Sequence, residues 1–188
     1  MLGYERLLKN YPDFRRSIVY LQIAPTTRSG VRTYSEIRSQ LEQTSGRING
    51  SFSEADWVPI RYLNKGVSRK PLMAMFRHAS VGLVTPVRDG MNLVAKEYVV
   101  AQDPEDPGVL VLSTLAGAAC ELEEAILVNP YDRDDIADGI ATALSMSLEE
   151  RKERQAAMMK TLRKNDITAW RRRFVRALLS KTNAVGAL

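Results

Sequence analysis

At 188 residues, 45% of them apolar and 26% charged, the chain has the size of one domain or one large lobe and enough apolar content to bury its own core. Its formal net charge of +5 permits anionic partners such as phosphates, nucleic acid or a membrane surface, without choosing among them. One cysteine (Cys120) excludes an internal disulfide and one histidine (His78) cannot complete a zinc site of the usual type, while the lack of a long apolar run and of a signal-peptide pattern over Met1 to Asp13 leads to the expectation of a cytoplasmic chain with no membrane partner.

Tyr4 to Asn10 reads as the tail of a helix stopped by Tyr11-Pro12. Ser17 to Ala24 (SIVYLQIA) is a continuous β-rich run, typical of a buried parallel strand. After a loop from Pro25 to Gly30, Tyr34, Ile37 and Leu41 recur at helical spacing. Gly46 to Glu54, with its Gly, Asn and Ser, reads as a surface loop, and Val58 to Leu63 as a second strand. Arg69 to His78 is a helix with Leu72, Met73 and Phe76 as its stripe, and Ser80 to Thr85 a third strand. Asn92 to Ala101 is a helix, Gly108 to Ser113 a fourth strand and Ala125 to Val128 a short fifth.

Asp132 to Ser145 is a helix with Ile136, Ile140 and Leu144 four residues apart. Ser147 and Glu150 form a capping-box signature for the next helix. Asp166 caps the last, with Trp170, Phe174 and Leu178 on one stripe. Strands alternating with helices predict a Rossmann-like, doubly wound parallel α/β sheet with helices on both faces and a helical carboxyl terminus. One domain is expected over residues 1–181, with a frayed tail over 182–188.

The densest signal is the stretch from Thr85 to Glu97 (TPVRDGMNLVAKE), which follows an apolar strand and opens a helix. That junction lies at the carboxyl edge of a parallel sheet, where ligands bind. Gly90 can take positive φ and admit a ligand to the backbone. The first helical turn, Asn92 to Ala95, offers unpaired amides to an anion such as a diphosphate. Asp89 and Glu97 bracket this helix start; a phosphate would repel both, so hydroxyls on either side of it suit them better.

The Asp89-x7-Glu97 spacing resembles the carboxylate signature of retaining glycosyltransferases of the two-Rossmann-domain (GT-B) type. RDGMNLVAKEYV is similar to glycosyltransferase family 20 in particular. So are the segments QIAPTTRSGVRTY (Gln22 to Tyr34), GRINGSF (Gly46 to Phe52), PGVLVLS (Pro107 to Ser113), AGAACEL (Ala116 to Leu122), VNPYDRDDIA (Val128 to Ala137) and KNDITAW (Lys164 to Trp170). The resemblance implies glucose transfer from a UDP-glucose donor to a glucose 6-phosphate acceptor, giving trehalose 6-phosphate with retention and with neither metal nor cofactor. On that basis Asp89, the implied catalytic residue, holds glucose hydroxyls, and the backbone of Gly90, Met91 and Asn92 lies beside the sugar. Leu93 and Val94 meet the diphosphate within a helix start that includes Ala95 and Lys96, and Glu97 accepts both ribose hydroxyls. Arg28 matches an arginine that contacts the acceptor phosphate, and Val67 a position whose backbone reads uracil. Lys96 itself is assigned no catalytic duty.

The family's arginine and lysine, in a motif resembling RLDYSKG, have no counterpart in these residues, nor has its amino-terminal Rossmann domain. That domain of the same polypeptide is therefore the expected partner. Assembly into a homo-oligomer is left open. A non-catalytic nucleotide-sugar or regulatory module fits the same residues. A phosphorylase or glycogen-synthase relative would carry Glu in place of Asp89. Trp170 and Phe174 read as core rather than as base-stacking platforms, which argues against nucleic acid despite the basic ending. Cys120 reads as a small packing residue and His78 as structural.

Overall fold

The protein is described by a computed structural model over residues 1–25 and 32–185, with side chains over 1–25 and 35–179. The described elements are α1 (Leu2–Asn10), β1 (Tyr20–Ile23), α2 (Arg32–Phe52), β2 (Ile60–Leu63), α3 (Arg69–His78), β3 (Val81–Val84) and α4 (Leu93–Ala101). They are followed by β4 (Val109–Ser113), β5 (Ile126–Val128), α5 (Arg133–Ser145), α6 (Leu148–Lys164) and α7 (Ile167–Val185). All strand pairings are parallel: β1 lies beside β2, and β3, β4 and β5 form a second sheet in that order. This is the predicted doubly wound α/β arrangement.

Each face has its own core. On one, Leu7 and Leu8 of α1, Ile48 of α2 and Ile136 and Ile140 of α5 pack with Ile60, Val111 and Val128. On the other, Ala95, Tyr98 and Val99 of α4 and Met158 of α6 pack with Leu110 and Leu112. Strand β4 is buried at every residue and alternates between the two cores. That is why it reads as a continuous apolar run. Burying each such Leu or Val contributes about 1.5–3 kcal/mol.

Five sequence expectations change here. The Ser17 to Ala24 run yields only four strand residues, and Leu21 is 39% exposed. Gly46 to Phe52 is not a loop but the end of α2. Tertiary contacts override the weak local propensity there: Ile48 is fully buried, and the Asn49 side chain brackets Ile60, accepting from its N–H and donating to its C=O, each at 3.0 Å. Ser147 caps α6 as predicted, but the carboxylate of Glu150 turns to Arg154, so only half of the capping box forms. Trp170, Phe174 and Leu178 share a stripe, with the two rings stacked at 5.2 Å, yet all three are about half exposed rather than core. Cys120 is likewise exposed, and so is His78, at the end of α3.

The helix that matters for the site, α4, is held at both ends. Its Tyr98 hydroxyl donates to Ala79 C=O at 2.8 Å, and burial raises that phenol's pKa. The Tyr98 ring lies so close to Gly82 of β3 that no side chain fits there. At the far end, Gln102 donates to Phe76 C=O at 2.6 Å and accepts from Gly108 N–H at 2.7 Å.

Candidate functional site

The loop from Thr85 to Asn92 leaves the carboxyl end of β3 and delivers the chain to α4. Asp89 organises it. Its Oδ1 accepts from the amides of Met91 (3.1 Å) and Asn92 (3.0 Å), and its Oδ2 accepts from the Asn92 side-chain amide at 3.0 Å. Asn92 is buried and sits at φ 67°, ψ 88°, a left-handed conformation that Asn tolerates better than most residues. Its Oδ1 caps α4 by accepting from Ala95 N–H at 2.8 Å. The positive φ expected at Gly90 therefore falls on Asn92 instead; no glycine among the described residues has positive φ.

These bonds decide which amides remain. Of the predicted Asn92 to Ala95 set, Asn92 is taken by Asp89 and Ala95 by Asn92. The amides of Leu93 and Val94 make no hydrogen bond within the described residues and stand at the positive end of the α4 dipole. Both side chains are exposed, 60% for Leu93 and 47% for Val94, so this backbone faces open surface. The next turn of the helix carries two charged side chains. Lys96 pairs with Glu121 at 3.0 Å. The side chain of Glu97, half-buried, has neither an ion pair nor a hydrogen bond among the described residues.

Asp89 uses three of roughly four lone-pair positions inside the loop, so about one is left for a ligand. Arg88 and Met91 are exposed on the loop, Val67 is half-buried between β2 and α3, and Gly90 is exposed with open space at its Cα. Arg28 lies outside the described residues.

Sequence reasoning missed the support beneath the loop. Gly117 donates its N–H to Asp89 C=O at 2.9 Å, and a Cβ at Gly117 would fall on the Gly90 carbonyl. A glycine opening the turn Gly117–Cys120 was the available signal, but its partner lies far away in sequence. A cleft of about 420 Å³ begins beside Thr85, yet neither Asp89 nor Glu97 lines it. The loop's chemistry is on the open carboxyl edge, not in that cleft.

A doubly wound domain whose strand-to-helix junction leaves two amides unused between two carboxylates is thus the class that fold and loop define. A family model for glycosyltransferase family 20 matches residues 1–180. Trehalose-6-phosphate synthase of Enterobacter sp. (strain 638) is 59% identical over 180 residues, which are 96% of this chain and 38% of that protein. The Klebsiella pneumoniae trehalose-6-phosphate synthase is 58% identical over 177 residues, 94% of this chain and 37% of its own. A solved E. coli structure described as bound with UDP-2-fluoro glucose superposes with a TM-score of 0.91 at 56% identity, covering 94% of this chain and 39% of that one. A Burkholderia xenovorans alpha,alpha-trehalose-phosphate synthase (UDP-forming) in complex with glucose-6-phosphate gives a TM-score of 0.91 at 55% identity, covering 93% of this chain and 38% of that one. The chain belongs to glycosyltransferase family 20. It spans 38% of the length of the Enterobacter relative.

Proposed function

We propose that this chain is the donor-binding domain, over residues 1–181, of a retaining glucosyltransferase that moves glucose from UDP-glucose to glucose 6-phosphate and yields trehalose 6-phosphate. The observation that carries this reading is the pair of unused amides at Leu93 and Val94, with the unpartnered Glu97 one turn further on. Two amides at a helix start suit a diphosphate. A carboxylate one turn on suits the vicinal hydroxyls of a ribose, because it accepts on both oxygens. Asp89 reaches the glucose with the lone pair its loop leaves over, while Gly90, Met91 and Asn92 present backbone to the sugar. Ala95 and Lys96 complete the helix start, Val67 lies where the uracil is read, and Arg28 meets the acceptor phosphate. Relatives of this family are described in complex with glucose-6-phosphate and with UDP-2-fluoro glucose, which supports the two substrates. An amino-terminal Rossmann domain of the same polypeptide supplies the rest of the acceptor site.

Calorimetric titration of the chain with UDP, UDP-glucose, GDP-glucose and ADP-glucose tests this. Binding of UDP and UDP-glucose is expected. Glu97→Gln should weaken it by about 1.5–3 kcal/mol, the worth of hydrogen bonds to a charged acceptor. Equal affinity in wild type and Glu97→Gln would remove Glu97 from the ribose, and no heat with any nucleotide would remove the donor site.

A further inference from the structure

Gly90 is exposed, has open space at its Cα and carries no side chain, so nothing of its own fixes the two peptide groups that flank it. Both meet Gly117. We infer that Gly117 is a positioning residue for sugar transfer: on the donor reading proposed above, it acts through the Gly90–Met91 peptide on the Asp89 carboxylate, and leaves the nucleotide grip at Leu93, Val94 and Glu97 alone.

The peptide ahead of Gly90 is held by a hydrogen bond. Gly117 N–H donates to Asp89 C=O at 2.9 Å, and Asp89 forms an isolated parallel bridge with Ala116, beyond the paired ends of β3 and β4. The peptide after Gly90 is held by close approach. A Cβ on Gly117 would fall on the Gly90 carbonyl, 2.7 Å from its carbon and 3.2 Å from Met91 N, where ordinary contact begins at 3.4 Å. Gly117 does not have positive φ, so the position needs a glycine for space and not for backbone freedom. This second peptide also supplies the Met91 N–H that Asp89 Oδ1 accepts at 3.1 Å. Displacing it strains or breaks that bond, and the carboxylate then turns about the two bonds it keeps from Asn92.

An added methyl at Gly117 must push one side of this contact away. The turn is the anchored side, because Ala116, Ala118 and Leu122 are buried in the core that holds Ala95, Tyr98 and Val99 of α4. Glu121 just behind it pairs with Lys96 of α4. The loop is the free side, since Gly90 and Met91 are exposed. The Gly90–Met91 peptide therefore yields, by about 1 Å to regain van der Waals distance. Misplacement on that scale costs about 100-fold in rate. Helix α4 stays in place, held by its own buried residues and by the cap from Asn92 to Ala95.

The test reads structure in the 188-residue chain and turnover in a chimera, in which this chain replaces the matching part of the Enterobacter relative. In the chain, Gly117→Ala should speed amide hydrogen exchange at Met91 by about tenfold and leave Ala95, Leu110 and Leu112 as protected as before. In the chimera it should lower kcat by about 100-fold, while UDP, competing with UDP-glucose, binds within about threefold of wild type. Added to Asp89→Asn, it should lower kcat by no more than about threefold further, because two changes that act through one group are not additive. A residue needed only for folding would lower UDP affinity together with kcat, or would add in full to Asp89→Asn, and either result overturns the assignment. Lost protection at Leu110 and Leu112 also overturns it, because the turn would then have given way instead of the loop. Asp89→Asn with undiminished kcat would sink the donor reading itself and this role with it. A damaged Asp89→Asn beside an undamaged Gly117→Ala would sink the role of Gly117 alone.

Discussion

At the scale of single residues, Asn92 has two separable duties: it occupies a left-handed conformation and it caps α4. Asn92→Gly keeps the conformation and loses the side-chain cap, which should cost only a few tenths of a kcal/mol. Asn92→Ala loses the cap and adds about 1–2 kcal/mol for a Cβ at positive φ. Urea denaturation of both variants should therefore rank Ala below Gly by more than the error of extrapolation. Equal losses would mean that φ 67° stores no strain. Asp89 and Asn92 stood out in the sequence because acid, Gly and Asn before a helix are recognisable types in a recognisable order. Their division of labour did not stand out. Gly90 was the residue expected to turn the chain, and the contact that instead brings the turn close, Gly117 against the Gly90 carbonyl, joins two loops that no local pattern connects.

Among the elements, α2 departs furthest from its sequence. Gly46, Asn49 and Gly50 imitate a loop, and only the partners of Arg47, Ile48 and Asn49 hold the helix through to Phe52. Open space surrounds the Cα of both Gly46 and Gly50. Gly46→Ala and Gly50→Ala should each raise stability by about 0.5–1 kcal/mol, through reduced backbone freedom in the unfolded chain. A loss of melting temperature in either would show that the helix ends earlier. Arg47 also ties α2 to α1: it donates to both Glu5 oxygens at 2.8 and 2.6 Å, with Lys9 on Oε1 at 2.8 Å. These cations, led by Arg47, outweigh burial and hold the Glu5 carboxyl down to about 2. A depressed folded pKa stabilises above the unfolded value and stops doing so as pH falls through the folded one. The tie should thus be intact at pH 5 and weaken progressively toward pH 2. Glu5→Gln should cost about 1.5–3 kcal/mol at pH 7 and make stability flatter between pH 5 and pH 3 than in wild type. Parallel pH profiles for the two proteins would show that this pair contributes nothing. The long, strongly periodic helices and the apolar strands were legible from spacing alone. The length of β1 was not, because its burial depends on what lies beside it, and neither was the exposure of the α7 stripe.

For the molecule as a whole, the prediction with most at stake concerns turnover. Among the described residues, the carboxyl-edge loop and the start of α4 hold two unused amides and the unpartnered Glu97 carboxylate, the groups proposed to grip part of a nucleotide sugar. A helix start contributes on the order of 1 kcal/mol toward an anion. Transfer makes a further demand, because charge accumulates on the leaving diphosphate and must be met by donors already in place. Loss of one such donor costs about 10²–10³ in rate. The family's arginine and lysine motif, resembling RLDYSKG, is absent from these 188 residues, so two such cationic partners are wanting, for a combined loss of about 10⁴-fold or more. Closure of a second domain over the acceptor, which excludes water and aligns the reacting groups, is wanting as well. The isolated chain should therefore bind UDP weakly and release none from UDP-glucose with glucose 6-phosphate present. A chimera in which this chain replaces the matching part of the Enterobacter relative should regain both tight binding and transfer. Mutation then separates the carboxylates within that chimera. Glu97 is proposed to hold the ribose, which the reaction leaves unchanged, so Glu97→Gln should raise the donor KM with little effect on kcat. Asp89 is proposed to hold the sugar that moves, so Asp89→Asn should lower kcat more than it raises KM. Steady UDP release by the 188-residue chain, matched by disaccharide formation, would show that this domain alone carries the chemistry. A reversed pattern in the two variants would mean that the donor lies the other way round along α4.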